Sequence, residues 1–217
     1  MRRSIRDFVS IVATCLPIYE PIYEFGSLQV PGQLRFADIR PLFPGKDYVG
    51  CDIRHGPGVD KILDLHSIDL PPESAGTVLC LETLEHVEYP REAINQIHRI
   101  LKPDGIAVIS SVMYFPVHGH PCDYWRFTPE AFRSLLKPFS ESFVGHAGNC
   151  AFPDPVVGIG FKGETPSLSK FKSEYSRWQK RHNTSIEHIV TIAAPPKLLP
   201  VIFGLHATLL SLVRRFR

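Results

Sequence analysis

Two short runs, "TVLCL" at 77–81 and "IAVIS" at 106–110, constrain the fold of this chain more than any other feature. Both are apolar without alternation, so both faces of each strand must meet protein rather than water, as in a parallel sheet covered on either side. Between them Ala93, Ile94, Ile97, Ile100 and Leu101 recur at helical spacing, and "LKPDG" ends that helix at Pro103 and turns at Gly105. Strand, crossover helix and parallel strand form the repeating unit of α/β folds. The same pattern predicts strands at 22–25, 48–51 and 61–63, and two later ones at "SFVGHAG" and "EHIVTIAAP". A second helix is expected over "FTPEAFRSLL", with Thr128 as cap, Pro129 in the first turn and Phe132, Leu135 and Leu136 as its buried stripe. The expected fold is α/β: a doubly wound, mostly parallel sheet of about seven strands with helices on both faces.

The 217 residues are enough for one domain with a sizeable core. A net charge of +2, with no basic stripe interleaved with aromatics, argues against a nucleic-acid partner. Cys15, Cys51, Cys80, Cys122 and Cys150 are odd in number and lack a C-x-x-C pair, so a reducing cytoplasm is the expected compartment. The start, "MRRSIRDFVSIVATCLP", is basic and briefly apolar, but Asp7 interrupts it and no small-residue cleavage site follows. A helix covering the sheet edge is expected over 1–20. The tail, 198–217, is apolar to Val213 and then carries Arg214, Arg215 and Arg217. It is shorter than the ~20 residues of a membrane span. Packing on the domain, a homodimer contact and peripheral membrane contact through anionic headgroups all remain open for it.

In open α/β sheets ligands bind beyond the carboxyl ends of the strands. The first strand ends at "YEFGS" with Glu24, Gly26 and Ser27, and the second at Asp52. The third delivers Asp64 from "LDLHS", and the fourth Glu82, Glu85 and His86 from "LETLEHV". Each acid taken singly is as easily a turn brace as a ligand. Four successive strand ends that each present a carboxylate suit a nucleoside, whose ribose hydroxyls an acid can accept.

On "YEFGS", "YVGCDIRHGPGVDKILDLHS", "TVLCLETLEHVEYPREAINQIHRILKPDGIAVIS" and "DYWRFTPEAFRSLL" the chain resembles the class I S-adenosylmethionine-dependent methyltransferases, in particular the type 11 small-molecule group. That resemblance implies S-adenosyl-L-methionine as cofactor and methyl transfer to an oxygen or nitrogen of a small-molecule or sugar-like acceptor. It implies Glu24, Gly26 and Ser27 near the methionine moiety, Asp52 on the ribose and Ile53 on the adenine. Asp64 and Leu65 fall on the adenine side, and Glu82 faces both cofactor and substrate. Residues 21–111 become the cofactor-binding half and 112–197 a substrate-side half with an insertion. The first motif departs from the family's run of glycines: "GSLQVPG" keeps Gly26 and then only Gly32.

Candidate bases for a hydroxyl or a protonated amine are His86 and, from "MYFPVHGHPCDYWRF", His118 and His120, since imidazole titrates near neutrality. His86 reads more readily as a helix-packing residue than as a base. Tyr124, Trp125 and Phe127 suggest a lid wall or simple loop packing. "HGHPCD" holds metal-ligand residue types, but Pro121 and the lack of a second cluster argue against a closed site, so no metal is expected. Two other functions compete: a nicotinamide-dependent oxidoreductase, weakened by the missing G-x-G-x-x-G, and a non-catalytic membrane-associated binding module with a degenerate cofactor site.

Overall fold

The structure, a computed structural model, describes residues 1–30, 36–119 and 121–183, without the side chains of Asn149 and Phe152. Its elements follow in chain order: α1 (Arg3–Cys15), β1 (Ile22–Phe25), a 3-10 turn (Arg40–Leu42), β2 (Tyr48–Asp52), β3 (Lys61–Ile62) and β4 (Ala75–Leu81). A second 3-10 turn (Leu84–His86), α2 (Pro90–Ile100), β5 (Leu101–Ser111), α3 (Pro129–Leu135), β6 (Glu141–Asn149), β7 (Phe152–Phe161) and α4 (Ser169–Asn183) complete them. The seven strands form one sheet in the order β3-β2-β1-β4-β5-β7-β6, parallel except that β7 runs antiparallel to both its neighbours.

This order positions the site. From β1 the chain steps to β2 and β3 on one side, then crosses to β4 and β5 on the other, so the switch point lies between β1 and β4. Register brings the strand ends level there: Phe25 pairs with both Cys51 and Cys80. The next residues along, Gly26, Asp52 and Leu81, therefore emerge side by side at the carboxyl edge.

Alternation within β4 divides the core. Val78 and Cys80 face α2 and α3, where Ala93, Ile94, Ile97, Ile100 and Phe132 are fully buried. Leu79 and Leu81 share the opposite core with Ile5, Phe8, Val9 and Val12 of α1 and Phe171 and Trp178 of α4. Each such side chain stabilises the fold by roughly 1.5–3 kcal/mol. The Trp178 indole N–H donates to the Ser4 carbonyl at 2.8 Å, tying α4 to α1. Thr128 caps α3 as expected, accepting from the Ala131 amide at 3.1 Å.

Three expectations change. Leu101 opens β5 instead of closing α2. α1 shares the core of the sheet's middle strands, including Ile106, Val108, Val157 and Ile159, and does not cover an edge. The strand expected at "EHIVTIAAP", the tail at 198–217 and Gly32 lie outside the described residues. The seventh described strand is β7, whose "FPDPVVGIGF" carries prolines and glycines and gives no strand pattern of its own. Tertiary packing explains them: a Cβ on Gly160 would lie 2.6 Å from the Phe139 ring, and one on Gly158 would crowd Ile109, Leu136 and Phe132. Glycine in a strand marks close approach as well as a turn. Among the described residues no helix is long and apolar enough to cross a membrane.

Candidate active site

A cleft of ≈ 890 Å³ opens at the carboxyl edge over β1, β2 and β4. Its walls include Glu24, Gly26, Ser27, Asp52, Ile53, Asp64, Leu65 and Glu82, together with His86 and His118. His120 lies outside the described residues.

At one end the geometry suits a nucleoside. Asp52 is buried at the tip of β2, and its Oδ1 accepts from the Arg54 amide at 3.0 Å. That bond orients the carboxylate without consuming its capacity, since an ionised carboxylate accepts at about four sites. Ile53 beside it is 51% exposed, an apolar surface on a cleft wall. Leu65 is buried behind the rim. Asp64 Oδ1 accepts from both the His66 amide and His66 Nδ1, each at 2.8 Å. His66 Nε2 accepts from the Tyr89 amide at 3.2 Å, so Nδ1 carries the hydrogen and Asp64 is braced as part of the rim.

The first motif is more structural than its sequence suggests. The Glu24 carboxylate accepts from the Tyr48 hydroxyl at 2.7 Å, and burial raises its pKa to about 7 against that bond. Ser27 turns its hydroxyl to the Cys51 carbonyl at 3.2 Å, bracing β1 against β2. Gly26 has φ +85°, and the neighbour that demands a glycine is Thr83, not open space kept for a ligand.

Glu82 marks the centre of the cleft and is held under strain. Its φ is +49°, a left-handed conformation that costs a residue with a Cβ about 1–2 kcal/mol. Its amide donates to the Ser110 carbonyl at 2.9 Å, fixing the turn where β4 leaves the sheet. Its carboxylate accepts from the Arg2 backbone amide at 3.1 Å and from Arg2 Nε. Arg2 also pairs with Asp154 from β7 and lies over the Phe115 ring at 5.5 Å. Burial raises the Asp154 pKa to about 6, opposed by the Arg2 charge. Arg2, Thr83 and Asp154 were not foreseen. "MRR" reads as a leader-like start, and Asp154 sits in a strand disguised by Pro153 and Pro155.

The other end is built by the turn after β4 and the loop after β5. Glu85 is buried and accepts at Oε2 from the Ser111 hydroxyl at 2.5 Å; burial raises its pKa. Its carbonyl accepts from the Tyr124 amide at 2.7 Å, docking the loop. His86 Nδ1 lies 2.5 Å from the Cys122 carbonyl, and the rings of His86 and His118 meet edge to face at 4.8 Å. Asp123 is a brace: its side chain is bound by Arg126 and the His118 amide, and Arg126 holds its pKa well below the carboxylate range. Tyr124 is half-exposed on the cleft wall. Trp125 donates from its indole to the Val87 carbonyl at 3.0 Å. Phe127 is buried against Phe132 in the core, so it is no part of a lid.

The sheet order and the switch-point cleft define an open, mostly parallel α/β fold with acids gathered at its carboxyl edge. Residues 44–109, a segment well short of half the chain, match the family model described as a methyltransferase domain. No curated protein matches the chain. Among solved structures, a possible histamine N-methyltransferase from Thermotoga maritima is similar at 19% identity and TM-score 0.52, covering 73% of this chain and 89% of that one. The 1,6-didemethyltoxoflavin-N1-methyltransferase of Burkholderia thailandensis, crystallised with S-adenosylhomocysteine, is similar at 16% identity and TM-score 0.53, covering 75% and 79%. The CMeT domain of the citrinin polyketide synthase is similar at 15% identity and TM-score 0.52; 66% of this chain covers 46% of that one. These likenesses carry the fold. With the family match over residues 44–109, they make the chain similar in fold to S-adenosylmethionine-dependent methyltransferases.

Proposed function

We propose that this protein transfers a methyl group from S-adenosyl-L-methionine to a nitrogen or oxygen of a small-molecule or sugar-like acceptor. One observation carries the reading: one cleft is lined by the strand-end Asp52 and Ile53 and also by His86 and His118. The residues present fit the cofactor, because the exposed Ile53 side chain at the rim offers an apolar face to a purine and Asp52 offers acceptors to a ribose. When bound, the cofactor supplies an electrophilic methyl on a sulfonium.

The chain's own residues do the rest. Asp52, Ile53, Asp64 and Leu65 bind and orient the nucleoside. Arg2 holds the Glu82 carboxylate, so Glu82 shapes the centre of the cleft and is not a free base. His86 and His118 face the acceptor, which enters past Tyr124. Alignment does most of the catalytic work, since bringing both reactants to near-attack distance is worth ~7–11 kcal/mol. An unprotonated amine needs no base, whereas a hydroxyl needs its proton accepted as the bond forms. Nitrogen has some support in the names of two similar structures, one an N1-methyltransferase and one a possible N-methyltransferase, although another is a carbon methyltransferase.

Titration calorimetry with S-adenosylhomocysteine tests the cofactor assignment. Asp52→Ala is expected to weaken binding more than tenfold while leaving the melting curve cooperative; unchanged affinity would remove Asp52 from the ribose. Acceptors are screened by homocysteine release, and His118→Ala is expected to lower turnover more than cofactor affinity. Equal losses in both would make His118 structural.

A further inference from the structure

We infer that Glu85, His86 and His118 form a binding site for one divalent transition-metal ion at the acceptor end of the cleft. One ligand atom from each of the three lies within 4.8 Å of the others. Ligands about 2.1 Å from a shared ion stand ~3–4 Å apart, so small side-chain rotations close the set.

The second observation is Glu85 itself. It is 1% exposed, and among the described residues its Oε1 has no hydrogen-bond partner. Leaving a buried carboxylate oxygen unmatched is costly, and a cation removes that cost. Ser111 holds the other oxygen, Oε2, so the carboxylate is oriented before any ion arrives.

Both imidazoles are oriented in the same way. His86 Nδ1 lies against the Cys122 carbonyl at 2.5 Å, an acceptor only, so that nitrogen carries the hydrogen. His118 Nδ1 lies 3.1 Å from the Pro116 carbonyl and 3.2 Å from Asp123 Oδ2, again acceptors only. In each neutral ring the lone pair is therefore on Nε2. Metal-binding histidines characteristically donate their other nitrogen to a carbonyl or carboxylate, which fixes tautomer and ring orientation. Two imidazoles and one carboxylate suit zinc, manganese or ferrous iron and leave coordination positions open. The sequence argued against a metal at "HGHPCD" because Pro121 and the lack of a second cluster left no closed site there. The fold supplies different partners: the Glu85 carbonyl anchors the loop through the Tyr124 and Trp125 amides, laying His118 against His86. Resting on the methyl-transfer reading, the open positions face the acceptor, which makes a heteroatom-bearing, metal-chelating molecule its substrate class.

The full chain, stripped with chelator and dialysed, is titrated with Zn²⁺ by calorimetry and with Mn²⁺ by electron paramagnetic resonance. One ion per chain is expected, with affinity falling at least tenfold in His86→Ala, in His118→Ala and in Glu85→Gln. S-adenosylhomocysteine binding, measured on the same samples, shows which variants remain folded. Absent or non-saturable metal binding in a wild-type sample that still binds the nucleoside overturns the metal site alone. Metal binding that all three folded variants retain also overturns it, by placing the ion elsewhere. Saturable metal binding without any nucleoside binding overturns the methyl-transfer reading and leaves the metal site standing.

Discussion

Gly26→Ala separates two costs that meet at the first turn of the cleft. Gly26 has φ +85°, where a side chain costs about 1–2 kcal/mol. A Cβ there would also lie 2.0 Å from Thr83 Oγ1 and 3.0 Å from its Cγ2. The Thr83 hydroxyl sits between the carbonyls of Leu81 at 3.0 Å and Phe25 at 3.2 Å, so displacing it forfeits a hydrogen bond of about 1 kcal/mol. The repacking adds roughly 1–3 kcal/mol. Together these give a destabilisation of about 4 kcal/mol. Gly45 supplies the control, with φ +73° and nothing within 4 Å of its Cβ position, so Gly45→Ala is expected to cost only about 1–2 kcal/mol. Urea unfolding at constant m-value measures both. Adding Thr83→Ala to Gly26→Ala removes Oγ1 and Cγ2, and the double variant should lose less than the two single losses combined. If Gly26→Ala costs no more than Gly45→Ala, the steric argument fails, and Gly26 would be kept only for its conformation or for a ligand.

Two further predictions concern buried charge. The folded pKa of Glu24, raised to about 7, lies above the ordinary 4.5, so its stabilising contribution is complete below pH 4.5 and lost as pH rises through 7. That slope amounts to about 3 kcal/mol. Glu24→Gln should flatten the melting temperature over this window, and an unchanged slope would assign it to another group. Arg2→Leu leaves Glu82 and Asp154 without their cation. A loss of about 2 kcal/mol is expected at pH 8 and a smaller one at pH 5, where Asp154, with a pKa already near 6, takes up a proton. Equal losses at both pH values would mean that the pair contributes through packing alone.

The parallel half of this protein was legible because its information is local. "TVLCL" and "IAVIS" are apolar on both faces, and that dictates a covered parallel strand wherever they sit. The amphipathic stripe of Pro90–Ile100 likewise dictates which face of that helix is buried. The acids at 24, 52, 64 and 82 follow their strands, and register alone brings them to one edge. Which of those acids remain open to a ligand was a tertiary decision. Glu24 spends a bond on Tyr48, Glu82 is held by a residue 80 positions away, and Asp52 alone combines burial with an exposed apolar neighbour. β7 was hidden for the same reason: its glycines answer to Phe139 and α3, distant in sequence, rather than to a turn of its own. His86 and His118 were each visible as a histidine, but only the loop docked on Glu85 sets their rings 4.8 Å apart with both Nδ1 atoms engaged. Periodicity records what a residue must hide from water. It carries no record of the distant side chain it will meet, and in this protein the chemistry of the cleft depends on those meetings.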